Sequence, residues 1–326
     1  MSLSAIRTWP SSARASAAET MPTPGAEAVY GSPLPVLAPV SMLEAIQTSP
    51  LVVDALGLES LADATLARVV IDAPPGTLER RYALAHGLRA LAPGGELIAL
   101  ARKDRGGPRL AGELQSFGCT VAEAAKRHHR ICRCSRPTAP LGLKAAIAAG
   151  GMQRLPALGL WSQPGVFSWN RIDPGSAVLI AQPWRPAGVG ADLGCGLGVL
   201  SRTVLAAPTV TEVTLIDIDR RAVEAARLNV GDARARFIQH DLRRPPRRPA
   251  DLDFVVMNPP FHDGGSQDRS LGHAFVDTAV AMLKVGGVLR MVANVALPYE
   301  SILAARFAEV DQLAQVGGYK LFEARK

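Results

Sequence analysis

A glycine-rich turn in the second half of the chain has the spacing of a ligand-binding loop. Gly194, Gly196 and Gly198 lie between a predicted strand at 189–193 and a predicted helix at 199–206. Glycine lets the backbone turn sharply and approach a ligand closely, where a side chain would clash. The free N–H groups at the start of the helix face the same side. The turn therefore predicts a bound ligand, although a glycine turn alone does not say which one.

Acidic residues stand at the ends of successive predicted strands beside this turn. Asp217 ends the strand at 213–217, 19 residues after Gly198, and Asp241 follows the strand at 236–240. This distance from the glycine turn is typical of an acid that binds ribose hydroxyls. Each aspartate could instead cap a turn, but their repetition at strand ends favours an edge that binds a nucleoside.

Asp192, at the start of the turn, helps to choose the ligand. A dinucleotide pyrophosphate is anionic and prefers a glycine loop without a nearby carboxylate. A carboxylate suits a ligand that carries a cation, such as the amino group of S-adenosylmethionine. The motif at 192–198 therefore favours a methyltransferase over a dehydrogenase.

The most specific pattern in the chain follows the fourth predicted strand, at 253–257. Asn258, Pro259, Pro260 and Phe261 come directly after it. The prolines end the strand and fix the backbone, so that the amide oxygen of Asn258 and the carbonyl of Pro259 form a pair of acceptors. An exocyclic NH2 group requires such a pair, and the ring of Phe261 offers a face for stacking a planar base. A plain strand-ending turn with a core phenylalanine is the alternative.

Strands and helices alternate from residue 188 onward, which is typical of a mostly parallel sheet covered on both faces. Asp219 can cap the helix predicted at 220–229, and Pro208 stops the preceding helix. The last two predicted elements are a helix at 272–284 and a strand at 288–293. The sequence thus predicts an α/β protein.

The first half of the chain repeats features of the second half in the same order. The repeated features are Pro74-Pro75, a helix and Gly94-Gly95 in the first half, and Pro259-Pro260, a helix and Gly286-Gly287 in the second. We interpret this as a duplicated α/β fold, although Gly-Gly turns before strands are common. In this alignment Ala73 replaces Asn258 and Gly76 replaces Phe261. The first half is therefore predicted to be a degenerate copy.

Charge is clustered in two stretches. The chain carries 36 basic and 29 acidic residues, a net charge of +7. Residues 102–136 hold nine Lys or Arg against three acids, and residues 220–248 hold nine Arg against three acids. Such clusters are typical of a surface that binds a polyanion, and merely solvated faces are the alternative.

Length and composition bound the remaining possibilities. At roughly 150 residues per domain, the 326 residues suggest two domains. We predict a mobile Ser/Ala/Pro-rich segment at 1–30, a first domain at 31–150 and a second at 160–326. No apolar run has the length of a membrane span. The four cysteines match neither a disulfide framework nor a metal site, so we expect reduced thiols, no metal and a cytoplasmic location.

Several stretches of the second half resemble class I S-adenosylmethionine-dependent methyltransferases, and are most similar to the RsmC-type 16S ribosomal RNA guanine-N2 methyltransferases. They are DLGCGLGVLS at 192–201, LIDIDRRAVEAARLN at 215–229, VVMNPPFHDG at 255–264, VANVALPY at 292–299 and, in the lead-in segment, GVFS at 165–168 and IDPGS at 172–176. The resemblance covers about 160–326 well and 1–150 only loosely. It implies two tandem Rossmann-like methyltransferase domains, of which only the C-terminal one binds cofactor.

The resemblance also implies roles for single residues. The residues that would bind the cofactor are Asp192, Gly194, Cys195, Gly196, Gly198, Asp217, Ile218, Asp241, Leu242 and Asn258. Those that would act in catalysis are Asn258, Pro259 and Phe261, and those that would bind the substrate are Pro260, Phe261 and His262. Within these sets the glycine turn would hold the methionine part of the cofactor, Asp217 the ribose and Asp241 the adenine. His262 either contacts the substrate or only orients its loop.

The sequence therefore predicts an enzyme that transfers a methyl group from S-adenosylmethionine to the N2 amine of a guanine in small-subunit (16S) ribosomal RNA. Its partner would be ribosomal RNA or the small ribosomal subunit, it would be monomeric, and its first domain would help to hold RNA. The same chemistry on a 23S guanine, an adenine N6 or a protein glutamine amide remains open. A catalytically silent RNA-binding module is an alternative of another class, against which Asn258 and Asp192 argue.

Overall fold

Two β-sheets, one from each half of the chain, organise the molecule. The computed structural model describes residues 25–38, 44–244, 249–260, 262–263, 266–267 and 269–326. Within these residues no helix has both the length and the apolar character needed to cross a membrane.

The first sheet has six strands. They are β1 (Glu27–Tyr30), β2 (Ile46–Gln47), β3 (Leu66–Asp72), β4 (Leu91–Arg102), β5 (Ala122–Lys126) and β6 (His129–Ser135). The helices of this half are α1 (Thr77–Ala90), α2 (Leu110–Ser116) and α3 (Leu143–Gly150), with short 3-10 helices at Leu58–Ser60 and Gly107–Arg109. The strand order is β2-β1-β3-β4-β6-β5, in which the first four strands are parallel and the last two antiparallel.

A hairpin of β7 (Gln153–Leu155) and β8 (Leu160–Ser162) leads into the second half. The strands that follow are β9 (Gly188–Leu193), β10 (Val210–Asp217), β11 (Ala235–Gln239), β12 (Leu252–Met257), the short pair β13 (His262–Asp263) and β14 (Ser266–Gln267), β15 (Leu283–Asn294), β16 (Glu309–Val316) and β17 (Tyr319–Arg325). The helices are α4 (Pro174–Ala181), α5 (Val199–Leu205), α6 (Arg220–Asn229), α7 (Arg269–Met282) and α8 (Tyr299–Arg306). The sheet order is β11-β10-β9-β12-β15-β17-β16, with only β17 and β16 antiparallel to their neighbours.

Strand β12 shows why the second sheet is covered on both faces. Val255 and Met257 pack into one apolar core, and Phe254 and Val256 pack into the core on the other side of the sheet. All four side chains are buried. A strand that buries both of its faces consists almost entirely of apolar residues. The sequence of β12, LDFVVM, has this composition. The prediction of a mostly parallel α/β sheet is confirmed.

The pairing register relates the two halves directly. Strands β4 and β15 each contain 12 residues, and each directly follows a helix of 14 residues. In both sheets the pairing with the preceding parallel strand shifts once, near its start. The pairs on either side of the shift are Leu66–Leu91 and Arg68–Glu96 in the first sheet, and Leu252–Leu283 and Phe254–Val288 in the second. The same irregularity at the same place confirms the duplicated fold.

This register corrects the sequence alignment of the two strand ends. Because Leu66 corresponds to Leu252, Asp72 and not Ala73 occupies the place of Asn258. Pro75 and not Gly76 then corresponds to Phe261. The two proline pairs are thus offset by one residue, and this offset misled an alignment that matched proline to proline.

The boundaries of the halves also differ from those expected. Residues 27–30 form strand β1 in the interior of the first sheet, where Ala28 and Val29 are fully buried. The prediction of a mobile segment at 1–30 is therefore wrong for residues 27–30, and residues 1–24 lie outside the described residues. The β7–β8 hairpin is bound to α6 through Asn229, which exchanges two hydrogen bonds with the backbone of Trp161, at 2.7 and 2.9 Å.

Candidate active site

A cavity of 820 Å³ lies where the carboxyl ends of the strands of the two sheets meet. Residues that follow β9, β10, β11 and β12 line it from the second half, and residues that follow β1, β3 and β4 line it from the first. Strands β9 and β12 flank the point at which the strand order reverses. In open α/β sheets the crevice at this point is the usual ligand site.

The glycine turn forms part of the cavity wall. Gly194 and Gly196 line the cavity, and both have positive φ angles, of +70° and +52°. The backbone N–H groups of Gly194 and Cys195 donate to one carbonyl of β10, at 2.8 and 3.1 Å, which holds the turn against its neighbouring strand. Cys195 lines a small adjoining cavity. Gly198 allows close packing instead, because a Cβ there would lie 2.8 Å from Val230.

Asp192 is fully buried behind the turn. Its Oδ2 accepts hydrogen bonds from the backbone N–H and the hydroxyl of Ser201, at 3.2 and 2.7 Å, while its Oδ1 has no partner among the described residues. Burial raises the pKa of this carboxyl to about 7 against the opposing effect of the Ser201 hydrogen bonds. Asp192 is not among the described residues that line the cavity, so the structure places it beneath the turn.

Asp217 and Ile218 line the cavity at the end of β10. The Oδ2 of Asp217 accepts from the N–H of Gly196 at 2.9 Å, and its Oδ1 accepts from the N–H of Asp219 at 2.9 Å. Burial raises its pKa to about 6. Each carboxylate oxygen can accept a further hydrogen bond, so Asp217 both ties the glycine turn to the next loop and presents acceptors to a ligand. Asp219 itself caps α6, as predicted, by accepting from the N–H of Arg221 at 3.0 Å.

Asp241 and Leu242 line the cavity after β11. The Oδ1 of Asp241 accepts from the backbone N–H and the Nε of Arg243, at 3.0 and 2.8 Å. Burial favours a higher pKa for Asp241, but the hydrogen bonds from Arg243 outweigh it, and the net shift is downward. The carbonyl of Leu242 accepts from the hydroxyl of Thr278 at 3.0 Å. The loop is thereby fixed on both sides of these two residues.

Asn258 enters the cavity at the end of β12 with its amide already oriented. Its Nδ2 donates to Oδ2 of Asp173 at 2.7 Å and to the hydroxyl of Ser176 at 3.0 Å. Both amide protons are therefore held by α4, for which Asp173 is the N-cap. The Oδ1 of Asn258 remains as the acceptor. Pro259 and Pro260 line the cavity beside it.

The structure brings most of the predicted site residues to this one cavity. Phe261 lies outside the described residues, and His262 begins the short strand β13 directly after it. The described residues include no group of three or more His, Cys, Asp or Glu arranged to hold a metal ion. All four cysteines are free thiols and buried.

Comparison with known proteins identifies the family. Residues 157–323 match the family described as "Methyltransferase small domain". The ribosomal RNA small subunit methyltransferase C of Pseudomonas aeruginosa (strain LESB58) is 32% identical over 258 residues, which are 75% of each chain. Its counterpart in Yersinia pestis (strain Pestoides F) is 30% identical over 262 residues, 77% of this chain and 72% of its own. The chain belongs to the ribosomal RNA small subunit methyltransferase C family.

A solved methyltransferase C structure agrees with the whole fold. The 16S rRNA N2 G1207 methyltransferase (RsmC) of T. Thermophilus, in complex with AdoMet and guanosine, superposes with a TM-score of 0.72 at 25% sequence identity. The match covers 93% of this chain and 88% of the other. The tandem arrangement of two α/β halves is therefore shared with this relative.

Sequence reasoning missed three residues of the site in this methyltransferase C family member. Asp173 and Ser176 orient Asn258, and the segment that contains them was noted only as similar to the family's lead-in. Phe167 lines both cavities although its side chain is 61% exposed. A signal was present, because a Ser or Asp before a Pro at a helix start is a capping pattern, but nothing in the sequence placed that cap beside Asn258.

The two halves of the methyltransferase are joined beside the residues that follow β10. Arg221 of α6 is 7% exposed in its side chain and binds Asp219 at 2.8 Å and Glu79 of α1 at 2.7 Å. Gln239 donates to the carbonyl of Pro50 in the first half, at 3.1 Å, and to that of Ile218 in the second, at 3.0 Å. The loop that carries Asp217 is thus held in part by the first half of the chain.

The proline turn of the first half is filled by the protein itself. Arg80 of α1 is fully buried and donates to the carbonyls of Pro74 and Pro75 at 3.1 and 2.7 Å. It also forms a two-point ion pair with Glu113, with both distances at 2.7 Å. The carbonyls of both prolines are therefore occupied by a side chain of the protein itself.

Proposed function

We propose that this protein transfers a methyl group from S-adenosylmethionine to the exocyclic N2 amine of a guanine in small-subunit (16S) ribosomal RNA. The observation that carries the proposal is Asn258, whose amide is oriented by Asp173 and Ser176 in the same cavity as the glycine turn and Asp217. The T. Thermophilus relative is an N2 G1207 methyltransferase of 16S rRNA, in complex with AdoMet and guanosine. The substrate assignment follows from that relative and from the chemistry of the Asn258 site.

The residues that line the cavity fit the cofactor. Gly194 and Gly196 have positive φ angles and present backbone to the ligand, and at Gly196 no atom lies within 4 Å of the position that a Cβ would take. Asp217 presents carboxylate acceptors suited to ribose hydroxyls, and Asp241 with Leu242 would border the adenine. Asp192 would contribute indirectly, because its hydrogen bond with Ser201 would hold the glycine turn in position for the cofactor. When bound, S-adenosylmethionine supplies an electrophilic methyl group.

Asn258 would position the amine of the guanine for attack. Its Oδ1 cannot rotate away without losing the bonds to Asp173 and Ser176, and the carbonyl of Pro259 adjoins it on a backbone fixed by proline. Two acceptors for the two amine protons direct the nitrogen lone pair toward the methyl group. As the bond between the nitrogen and the methyl carbon forms, positive charge develops on the nitrogen and strengthens these two hydrogen bonds. They therefore stabilise the transition state more than the ground state.

Aromatic rings would hold the plane of the base. Phe261 follows Pro260 directly and is proposed to stack on the guanine, and His262 either contacts the substrate or orients the loop. Phe167 is a second ring at the same cavity, and its high exposure is unusual for phenylalanine. Single-stranded bases commonly stack on such rings.

The other acceptors remain as outcomes of the test. The Asn-Pro-Pro site would also serve an adenine N6 amine, a 23S guanine or a glutamine amide, because each presents an NH2 group on a planar carbon. A catalytically silent module is disfavoured by the oriented amide of Asn258. We further propose that the protein acts as a monomer in the cytoplasm on ribosomal RNA or the small subunit. The first half, at about 31–150 with strand β1 added, would hold RNA, and the second would carry the chemistry.

Mass mapping of modified nucleotides in ribosomal RNA, from cells with and without the protein, tests this function. We expect one N2-methylguanosine of 16S RNA to be lost and then restored by the wild-type protein. An unchanged 16S modification pattern, or the loss of a methyl group from 23S RNA or from a protein, would contradict the assignment.

A further inference from the structure

The carboxyl edge of the first sheet contributes two arginines and a histidine to the methyl-transfer cavity. Arg102 ends β4, Arg105 lies in the loop after it, and His129 begins β6, where it pairs with Arg102. All three line the cavity that also contains Gly194, Asp217 and Asn258. We call Arg102, Arg105 and His129 the basic edge.

These residues stand where the second half carries no charge. By the register that relates the halves, Arg102 corresponds to Asn294, since each is the last residue of a 12-residue strand. At this position the first half therefore carries a cation where the second half carries a neutral amide. The charge of Arg102 is not buried in the packing of the first half, because Arg102 and Asp104 form an ion pair in which both side chains are more than half exposed.

The basic edge has donor capacity left over. The side chain of Arg105 makes no hydrogen bond, and no ion pair within 4 Å, with any residue that the structure describes. The ring of His129 is held in place by the carbonyl of Arg127, which lies 2.7 Å from its Nδ1. A guanidinium that lines a cavity without a carboxylate partner is suited to an oxyanion.

The carboxylates of the same cavity are already engaged. Asp217 accepts from two backbone N–H groups, Asp241 from Arg243, and Glu79 from Arg221. Burial raises the pKa of Asp72 above its usual value. Glu79 and Asp241 are each paired with an arginine, which lessens the repulsion of an anion at the first-half side of the cavity.

We propose that the basic edge binds the phosphate groups that flank the target nucleotide, so that the degenerate half holds the RNA strand while the other half methylates the base. The inference rests on the proposed function. A base that reaches the end of β12 must be unstacked from its strand, and its own 3′ and 5′ phosphates then lie within one nucleotide of it. Contacts to phosphates fix the position of the RNA strand on the protein without reading its sequence. The first half can make this contribution although it lacks the pair of acceptors that would bind the target amine.

Equilibrium binding of guanosine and of guanosine 3′,5′-bisphosphate to the full-length protein, with saturating S-adenosylhomocysteine, tests this inference. We expect wild type to bind the bisphosphate about tenfold or more tightly than guanosine, the effect of one or two charge-assisted hydrogen bonds. The double variant Arg102→Gln/Arg105→Gln should bind the two compounds with nearly equal affinity while its affinity for guanosine stays at the wild-type value. The matched control is Lys144→Gln/Arg202→Gln, which removes two exposed charges from α3 and α5 and should keep the preference.

Two results would overturn the inference. One is equal binding of both compounds by wild type, and the other is a preference that survives Arg102→Gln/Arg105→Gln or is lost equally in the control. Methyl transfer into 16S RNA is measured on the same preparations. No transfer by wild type would overturn the proposed function and this inference together, whereas transfer without a phosphate preference would overturn this inference alone.

Discussion

The two halves of the molecule build the same turn at the carboxyl edge of a sheet and fill it differently. In the first half Arg80 donates to the carbonyls of both prolines of the turn. The corresponding position of α7, the same distance before the long strand, is Gly272. Among the described residues none donates to the carbonyl of Pro259 or Pro260. One turn is completed by the protein, whereas the carbonyls of the other have no donor among the described residues and are proposed to face the ligand.

The comparison teaches how a duplicated domain can lose a site and keep its fold. Arg80 and Glu113 are almost completely buried, and a buried ion pair is tolerated only when its hydrogen bonds are satisfied. Here the proline carbonyls satisfy them. The proline carbonyls of the first half are partners in packing, while the strand register matches that of the second half.

Removing the arginine is the change with the largest expected effect. Arg80→Met should lower the free energy of unfolding by about 3–5 kcal/mol, because it leaves Glu113 buried without its partner. Urea denaturation followed by circular dichroism measures it. The double variant Arg80→Met/Glu113→Leu should recover most of the stability. A single variant as stable as wild type would break the comparison, since the turn would not depend on Arg80.

Asp217 tests the cofactor side of the second half. Asp217→Ala should weaken binding of S-adenosylmethionine by about 1.5–3 kcal/mol, the scale of a hydrogen bond to a charged group. Calorimetric titration measures it, with Asp277→Ala as a control, because that aspartate is exposed and paired with Arg306. Unchanged affinity in Asp217→Ala would remove this residue from the site.

Asp173 sharpens the comparison, since the first half has no counterpart to its contact with Asn258 in the described residues. Asp173→Ala should lower kcat about tenfold by freeing the amide to rotate, with little change in cofactor affinity. Asp173→Asn keeps an acceptor for the amide and should restore most of kcat. An unchanged kcat in Asp173→Ala, with only the loss of stability of about 1 kcal/mol expected for a helix cap, would mean that Asp173 acts only as the cap of α4.

The smallest effect is expected from the exposed basic residues of the first half. Reversing Arg127, Arg130 and Arg133 to Glu should raise the dissociation constant for RNA and flatten its dependence on salt. Filter binding over a range of salt concentrations measures both quantities. Wild-type affinity and slope would show that this surface is only solvated. Arg133 should contribute least of the three, because it already lies 3.5 Å from Glu96.

Periodicity and short motifs predicted the second half well. The strand that ends at Leu193 and the helix at 220–229 are found where the apolar runs and the Asp219 cap placed them. Local signals of this kind are carried by consecutive residues. The register that relates the two halves depends instead on pairing between strands, which consecutive residues do not reveal. For that reason the sequence alignment matched Ala73 to Asn258, whereas the structure matches Asp72 to Asn258.

The parts of the site that sequence reasoning missed depend on contacts between distant segments. Asp173 is 85 positions from Asn258 along the chain, and Glu79 is 142 from Arg221. No local pattern encodes such pairs. The same holds for Asp192, whose residue type suggested a ligand contact but which is buried and accepts hydrogen bonds from Ser201 of the next helix.

Single-turnover methyl transfer by Asn258→Ala, with saturating cofactor and 16S RNA, tests the central claim most directly. Loss of one preorganised hydrogen-bonding group typically costs about 3–4 kcal/mol, so the rate should fall roughly a hundredfold to a thousandfold while cofactor affinity stays nearly unchanged. Asn258→Asp keeps an acceptor but adds a charge, and should retain partial activity. A near-wild-type rate for Asn258→Ala would mean that the turn only ends a strand in this half too, and would contradict the mechanism.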